Sequence, residues 1–157
     1  MTPRSIEHDS FTLERHYEAA PAEVFAAWAD PAAKARWFRG PQEWEAAPHE
    51  LDFRVGGREL SRGGPPDGPV HTYRAIYWDI VPIQRIVYTY ELLMDETRIS
   101  VSLTTIELKA EGDLTRLVLT EHGAFFDGRD SAAQRRQGTG SLLEELSREL
   151  QHDPATG

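Results

Sequence analysis

The order of patterns from Val70 to the C-terminus restricts this chain most. Three alternating, β-rich segments, Val70–Pro82, Arg85–Met94 and Ile99–Leu108, run into a fourth, Leu114–Glu121. Gly123-Ala-Phe125 follows, and then one long amphipathic segment, Ser131–Leu150. A period of two marks half-buried strands, whereas Leu142, Leu143, Leu146 and Leu150, at i, i+1, i+4 and i+8, mark a helix with a narrow apolar stripe. A helix of that length spans about 30 Å, enough to cross a small sheet. The turns at Val81–Gln84, Asp95–Thr97 and Glu111–Asp113 are short, so successive strands pair antiparallel as a meander. The fold class implied is α+β, a curved antiparallel sheet of about six or seven strands wrapped round a long C-terminal helix. An apolar cavity between those two layers is the natural consequence.

The upstream half fits the same plan. Phe11–Tyr17 alternates as a strand. Ala19-Ala-Pro21 opens a helix, with proline suited to its first position, Glu23 to its first turn, and Val24, Phe25 and Trp28 as an apolar stripe. Asp30-Pro31 ends that helix and starts a second, with Asp30 as N-cap, and Arg39-Gly-Pro41 breaks the second after Trp37-Phe38. Leu51–Val55 alternates again and meets the turn pair Gly56-Gly57, with Arg58–Arg62 as the returning strand. Gly63–Gly68 is a loop by composition. The 157 residues fit one domain over 1–157, with 1–9 and 152–157 expected as flexible ends.

Composition removes several classes of function. A formal charge of −9 repels phosphate backbones and anionic lipid, which argues against nucleic-acid binding. No apolar run approaches the roughly 20 residues that cross a bilayer, so no membrane insertion is expected. Met1–Ser10 lacks the apolar core of a signal peptide, which makes a cytoplasmic location the simplest expectation. The absence of cysteine excludes disulfides and thiolate chemistry. Histidines 8, 16, 49, 71, 122 and 152 show no ligand spacing, so no metal site and no cofactor are expected. There is no Gly-x-Ser-x-Gly elbow, and the glycine pairs lack the strand–glycine–helix setting of a phosphate loop.

Several pieces in this order carry a resemblance. They are Ala20-Pro-Ala-Glu-Val-Phe25 with Trp28 and Asp30-Pro31, Arg36-Trp37-Phe38, Phe53-Arg-Val-Gly-Gly57, Asp79-Ile-Val-Pro82, Arg85–Tyr90 and Thr115–Glu121. Together they resemble the helix-grip superfamily of START domains, Bet v 1-type allergens and polyketide cyclases. Within it the chain is most similar to the branch related to the C-terminal domain of the activator of Hsp90 ATPase, over about residues 10–150. The resemblance implies a single helix-grip domain. Many members carry His-x-x-Gly-Trp entering the terminal helix, and this chain has Arg135-Arg-Gln-Gly138-Thr139 instead. Loss of both rings implies either a wider pocket or one refilled by tyrosines.

Parity selects the side chains that share the cavity. Ile86, Tyr88, Tyr90 and Leu92 face one way, and Leu117, Leu119 and Glu121 form a matching set that turns His122 outward. On the neighbouring strand either Tyr73, Ala75 and Tyr77 or Ile76 and Trp78 could turn inward; the resemblance favours the tyrosines, which leaves Ile76 and Trp78 outside as a candidate homodimer contact. Glu121 is the candidate catalytic group, since a carboxylate in a dry cavity has a raised pKa. Pairing with Arg135 or another arginine, or a place at the wet rim, is the alternative. Gly138 and Gly140 each cost a helix roughly 1 kcal/mol, which implies close approach of the sheet or of a ligand. The candidate ligand-lining residues are Phe53, Tyr73, Tyr77, Tyr88, Tyr90, Leu119, Glu121, Phe125, Arg135, Thr139 and Leu143.

Three functions compete. The first is a protein binding a hydrophobic or aromatic small molecule between sheet and helix. The second is a cyclase- or hydrolase-like enzyme using Glu121 and a tyrosine. The third is a co-chaperone-like regulator of Hsp90, for which fold analogy alone is a weak warrant.

Overall fold

The structure, a computed structural model, describes residues 3–40, 44 and 49–151. Seven strands form one antiparallel sheet in the order β1-β7-β6-β5-β4-β3-β2. In chain order they are β1 (Ile6–Tyr17), β2 (His49–Leu51), β3 (Arg58–Gly63), β4 (His71–Val81), β5 (Arg85–Met94), β6 (Thr97–Glu111) and β7 (Leu114–Phe126). Helices α1 (Pro21–Ala29) and α2 (Pro31–Trp37) follow β1, and α3 (Ala132–Gln151) ends the described chain. Strands β2 to β7 are a meander, and β1 closes the far edge against β7.

Local chemistry sets the element boundaries. Pro21 begins α1, and the Asp30 carboxylate accepts the Ala32 backbone N–H at 3.2 Å to cap α2. Ser131 caps α3 through its hydroxyl, which accepts the Gln134 N–H at 3.2 Å. Strand β1 starts at Ile6, well before the alternation begins, so residues 6–9 are paired with Gly123–Phe126 instead of lying in a loose end. The same pairing carries β7 through Gly123-Ala-Phe125, a stretch the sequence left outside the strand.

The expected strand Leu51–Val55 stops at Leu51. From Asp52 the chain turns: the Asp52 N–H donates to Arg58 C=O and the Gly57 N–H to Arg54 C=O. Gly56 has φ +83°, and a Cβ on Gly57 would lie 2.0 Å from the Asp52 carbonyl oxygen. The glycine pair therefore forces the turn, and the alternation at Phe53 and Val55 is incidental.

The core lies between the inner face of the sheet and the three helices. Ile86, Ile106, Leu117 and Leu119 meet Val24, Trp28, Trp37, Leu143 and Leu146 there. Helix α3 packs chiefly on β1, α1 and α2. The Tyr17 hydroxyl ties it to the sheet by donating to the Leu143 carbonyl at 3.1 Å. Within the described residues, no helix is long and apolar enough to cross a membrane.

Candidate functional site

Cross-strand register places the inward side chains in rows. One row runs His49, Ser61, Tyr73, Leu92, Ser100, Phe125 from β2 to β7. The next runs Leu51, Glu59, Ala75, Tyr90, Ser102, Gly123, and a third holds Tyr77, Tyr88, Thr104 and Glu121. Residues paired directly across an antiparallel ladder project to the same face. These rows are therefore the floor of the space beneath α3.

Polar groups crowd this floor, in two clusters. Glu121 is 2% exposed, and its two oxygens accept from the Tyr90 hydroxyl at 2.7 Å and the Thr104 hydroxyl at 2.8 Å. Burial pushes its carboxyl above the usual range, opposed by those hydrogen bonds and by the charge of Arg135. Arg135 itself pairs with Asp130, at 3.0 Å, so the alternative Glu121–Arg135 ion pair does not form. Burial, followed by the Glu121 charge, raises the Tyr90 hydroxyl well above an ordinary phenol and keeps it a donor.

The second cluster centres on Glu59. Its carboxylate accepts from Lys34 Nζ at 2.7 Å and Tyr77 hydroxyl at 2.6 Å on one oxygen, and lies 2.7 Å from His49 Nε2 on the other. The Lys34 and Glu59 side chains are both 0% exposed. Burial works against the Glu59 charge, yet Lys34, His49 and Tyr77 together hold its carboxyl below the ordinary value. Burial lowers Lys34, and Glu59 resists that change. The ammonium also lies 4.4 Å from the centre of the Phe38 ring, a cation–π contact. Sequence reasoning passed over Lys34, Glu59 and His49.

Between these clusters, polar atoms go without protein partners. The hydroxyls of Ser100 and Ser102 are buried and make no hydrogen bond to any described group. His49 Nδ1 is in the same condition, and the Tyr73 hydroxyl has only a loose contact with the Tyr88 hydroxyl. All four belong to the first two rows. An unmet buried hydroxyl costs roughly 1–3 kcal/mol, so those of Ser100 and Ser102, two residues apart on β6, are not accidental packing residue.

The expected residues divide between this floor and the core. Tyr73, Tyr77, Tyr88, Tyr90, Glu121 and Phe125 come together on the inner face. Tyrosine rings take up much of the hollow: Tyr73–Tyr90 centroids are 4.9 Å apart, Tyr77–Tyr88 5.6 Å and Tyr88–Tyr90 6.2 Å. The Phe125 ring folds back over Gly123, where a Cβ would meet it at 2.5 Å. Leu119 and Leu143 belong to the packed core. Phe53 stacks edge-on between Phe25 and Tyr77, at 5.7 and 5.1 Å. Arg135 and Thr139 lie half-buried on the first half of α3.

Two concavities among the described residues lie elsewhere. An open groove of about 630 Å³ crosses the outer face beside His8, Thr89, Val101, Leu103 and His122. A smaller one, about 190 Å³, sits between α2 and α3 at Arg36, Trp37 and Arg148. Neither of these concavities opens onto the space between the tyrosine rows and α3. Its helix side is loosely covered, since a Cβ on Gly138 would meet only Arg135 Nη1, at 3.8 Å, and one on Gly140 only Arg15 Nη2, at 3.4 Å. Close approach of sheet backbone does not explain those glycines. On the outside, Trp78 projects at a bulge in β4, 57% exposed, with its indole N–H donating to Thr89 Oγ1, while Ile76 is half-buried.

The profile of the activator of Hsp90 ATPase homolog 1-like protein family matches residues 18–151. An uncharacterised protein from Rhizobium leguminosarum has a similar structure, with TM-score 0.92, 45% identity, and 97% of this chain and 100% of that chain covered. A protein from Rhizobium loti is 48% identical, with TM-score 0.86, covering 92% of this chain and 99% of that one. A homolog 1-like protein of the same group from Aeromonas hydrophila shares the fold, with TM-score 0.68 and 21% identity over 91% and 92% of the two chains. No curated protein matches the sequence.

Proposed function

The chain belongs to the activator of Hsp90 ATPase homolog 1-like family, and on that premise we propose that it binds a small aromatic or hydrophobic molecule with polar substituents, seated between the inner face of the sheet and the first half of α3. The observation that carries this reading is the pair of buried, unpartnered hydroxyls of Ser100 and Ser102 in adjacent rows, with the Tyr73 phenol on the same face. A site of this kind is mostly apolar, with a few polar groups fixing orientation. The rings of Tyr73, Tyr90 and Phe125 supply the apolar wall. A ligand enters by displacing Phe125 or a tyrosine ring, since the space is otherwise largely taken.

A thermal-unfolding titration with 2-naphthol tests the proposal. A probe at ten times its Kd stabilises by about 1.4 kcal/mol, which is a rise of about 3–5 °C in Tm for a domain of this size. Ser102→Val should cut the rise to about half. A flat titration for 2-naphthol and for a panel of related aromatic alcohols would overturn the reading.

Catalysis through Glu121 is the second reading, favoured by its raised pKa. Both of its oxygens already accept from Tyr90 and Thr104, so a substrate proton must compete with internal donors. Turnover that survives Glu121→Gln would exclude that role. Nothing about the inner site bears on a chaperone partner, and the Hsp90 role stays with the family's name.

A further inference from the structure

The two nitrogens of His49, on the inner face, have different fates. Nε2 lies 2.7 Å from Glu59 Oε2, while Nδ1 is buried and has no partner among the described residues. The side chain is 8% exposed. Glu59 already receives Lys34 and Tyr77 on its other oxygen and is an acceptor in this network. A neutral His49 must therefore carry its proton on Nε2 and donate it to Glu59, which leaves a bare lone pair on Nδ1. The tautomer follows from the hydrogen-bond network.

That lone pair shares a face with the vacant hydroxyls. His49, Ser61 and Tyr73 stand opposite one another on β2, β3 and β4. Two strand spacings, about 10 Å, separate the first from the last. Phe38 sits between them, with its ring centroid 4.9 Å from that of Tyr73 and 6.3 Å from that of His49. An aromatic ligand that displaces the Phe38 ring would reach an acceptor at His49 on one side and the Tyr73 hydroxyl on the other.

We infer that His49, positioned by Glu59, accepts a hydrogen bond from the ligand, so that the site selects molecules bearing an O–H or N–H group over their alkylated counterparts. The inference rests on the inner-face binding reading above and adds its polarity. Lys34 and Tyr77 are positioning residues here, because they hold the carboxylate that holds the ring. The hydroxyls at Ser100 and Ser102 accept or donate equally well and impose no such preference.

The test uses the intact protein and a matched pair of probes, 2-naphthol and 2-methoxynaphthalene. Long-range ¹H–¹⁵N spectra of the histidines at pH 7.5 should show His49 with a protonated Nε2 and a bare Nδ1. 2-Naphthol should bind about fivefold more tightly than its methyl ether, the equivalent of one ordinary hydrogen bond, and should shift the Nδ1 resonance. In His49→Phe the preference should vanish while both probes still bind. If that variant does not fold, the wild-type tautomer and probe pair still decide. A protonated Nδ1, or equal affinities with shifts at Tyr73 and Ser102, would overturn the His49 inference and leave the binding reading standing. Failure of both probes to bind would remove both.

Discussion

Removing a polar atom from a protein interior usually destabilises it, but Ser100 and Ser102 should behave in the opposite way. Both hydroxyls are buried, at 0% and 2% residue exposure, and neither has a protein partner. Each leaves roughly 1–3 kcal/mol of desolvation unrecovered. Ser→Ala keeps the Cβ packing and deletes only the oxygen, so each change should stabilise the ligand-free protein by about 1 kcal/mol, at the low end of that range. For a domain of this size 1 kcal/mol raises Tm by about 2–4 °C. The two residues share one face of β6, so their effects should sum only to within about 0.5 kcal/mol in the double variant. Calorimetry measures this directly, and a 2-naphthol titration of the same variants should show affinity falling about fivefold per hydroxyl lost. The reasoning would be refuted if each alanine cost 1 kcal/mol or more with probe affinity unchanged. Such a result would mean that the hydroxyls are satisfied structural groups.

Three further expectations follow from the inner face. Lys34→Met should leave Glu59 buried and uncompensated and cost about 3–5 kcal/mol, with Lys34→Met/Glu59→Leu recovering much of it; denaturant unfolding of both variants checks the pair. Glu121 has a folded pKa above its unfolded value of about 4.5, so the folded state binds more protons than the unfolded one in the window above 4.5. Stability should accordingly decline as pH rises through that window, and Glu121→Gln should flatten the decline; an unchanged profile would show that Glu121 is not the titrating group. Tyr17→Phe should cost about 1 kcal/mol, since it removes only the bond to the Leu143 carbonyl, and amide exchange should rise along α3.

The fold was legible because its strands alternate over long runs. The inward sets Ile86 to Leu92 and Leu117 to Glu121 follow from parity, whereas parity left β4 two choices and the resemblance was needed to favour Tyr73, Ala75 and Tyr77. The Lys34–Glu59–His49 cluster was not legible, for physical reasons. A lysine flanked by Ala33 and Ala35 reads as solvated, because lysine is almost never fully buried unless paired. Its partner lies 25 residues away, and nothing local ties them. Strand β3 misleads further, since its inward positions are Glu59 and Ser61 while Leu60 is the half-exposed one. One signal was present: Lys34 stands three residues before the buried Trp37, on the same side of α2. The start of β1 escaped notice because Ile6–Ser10 has no apolar alternation and is held by edge pairing with β7. At the helix, Gly138-Thr139 in place of Gly-Trp pointed to a wider or a refilled pocket, and the tyrosine rings of β4 and β5 occupy much of that space.

The most direct test of inner-face binding is an amide chemical-shift map of the ¹⁵N-labelled protein titrated with 2-naphthol. The account expects the largest shifts at Tyr73, Ser100, Ser102 and Phe125, with Val101, Leu103 and His122 responding weakly. Shifts concentrated instead at His8, Thr89, Leu103 and His122 would place the probe in the outer groove and contradict it.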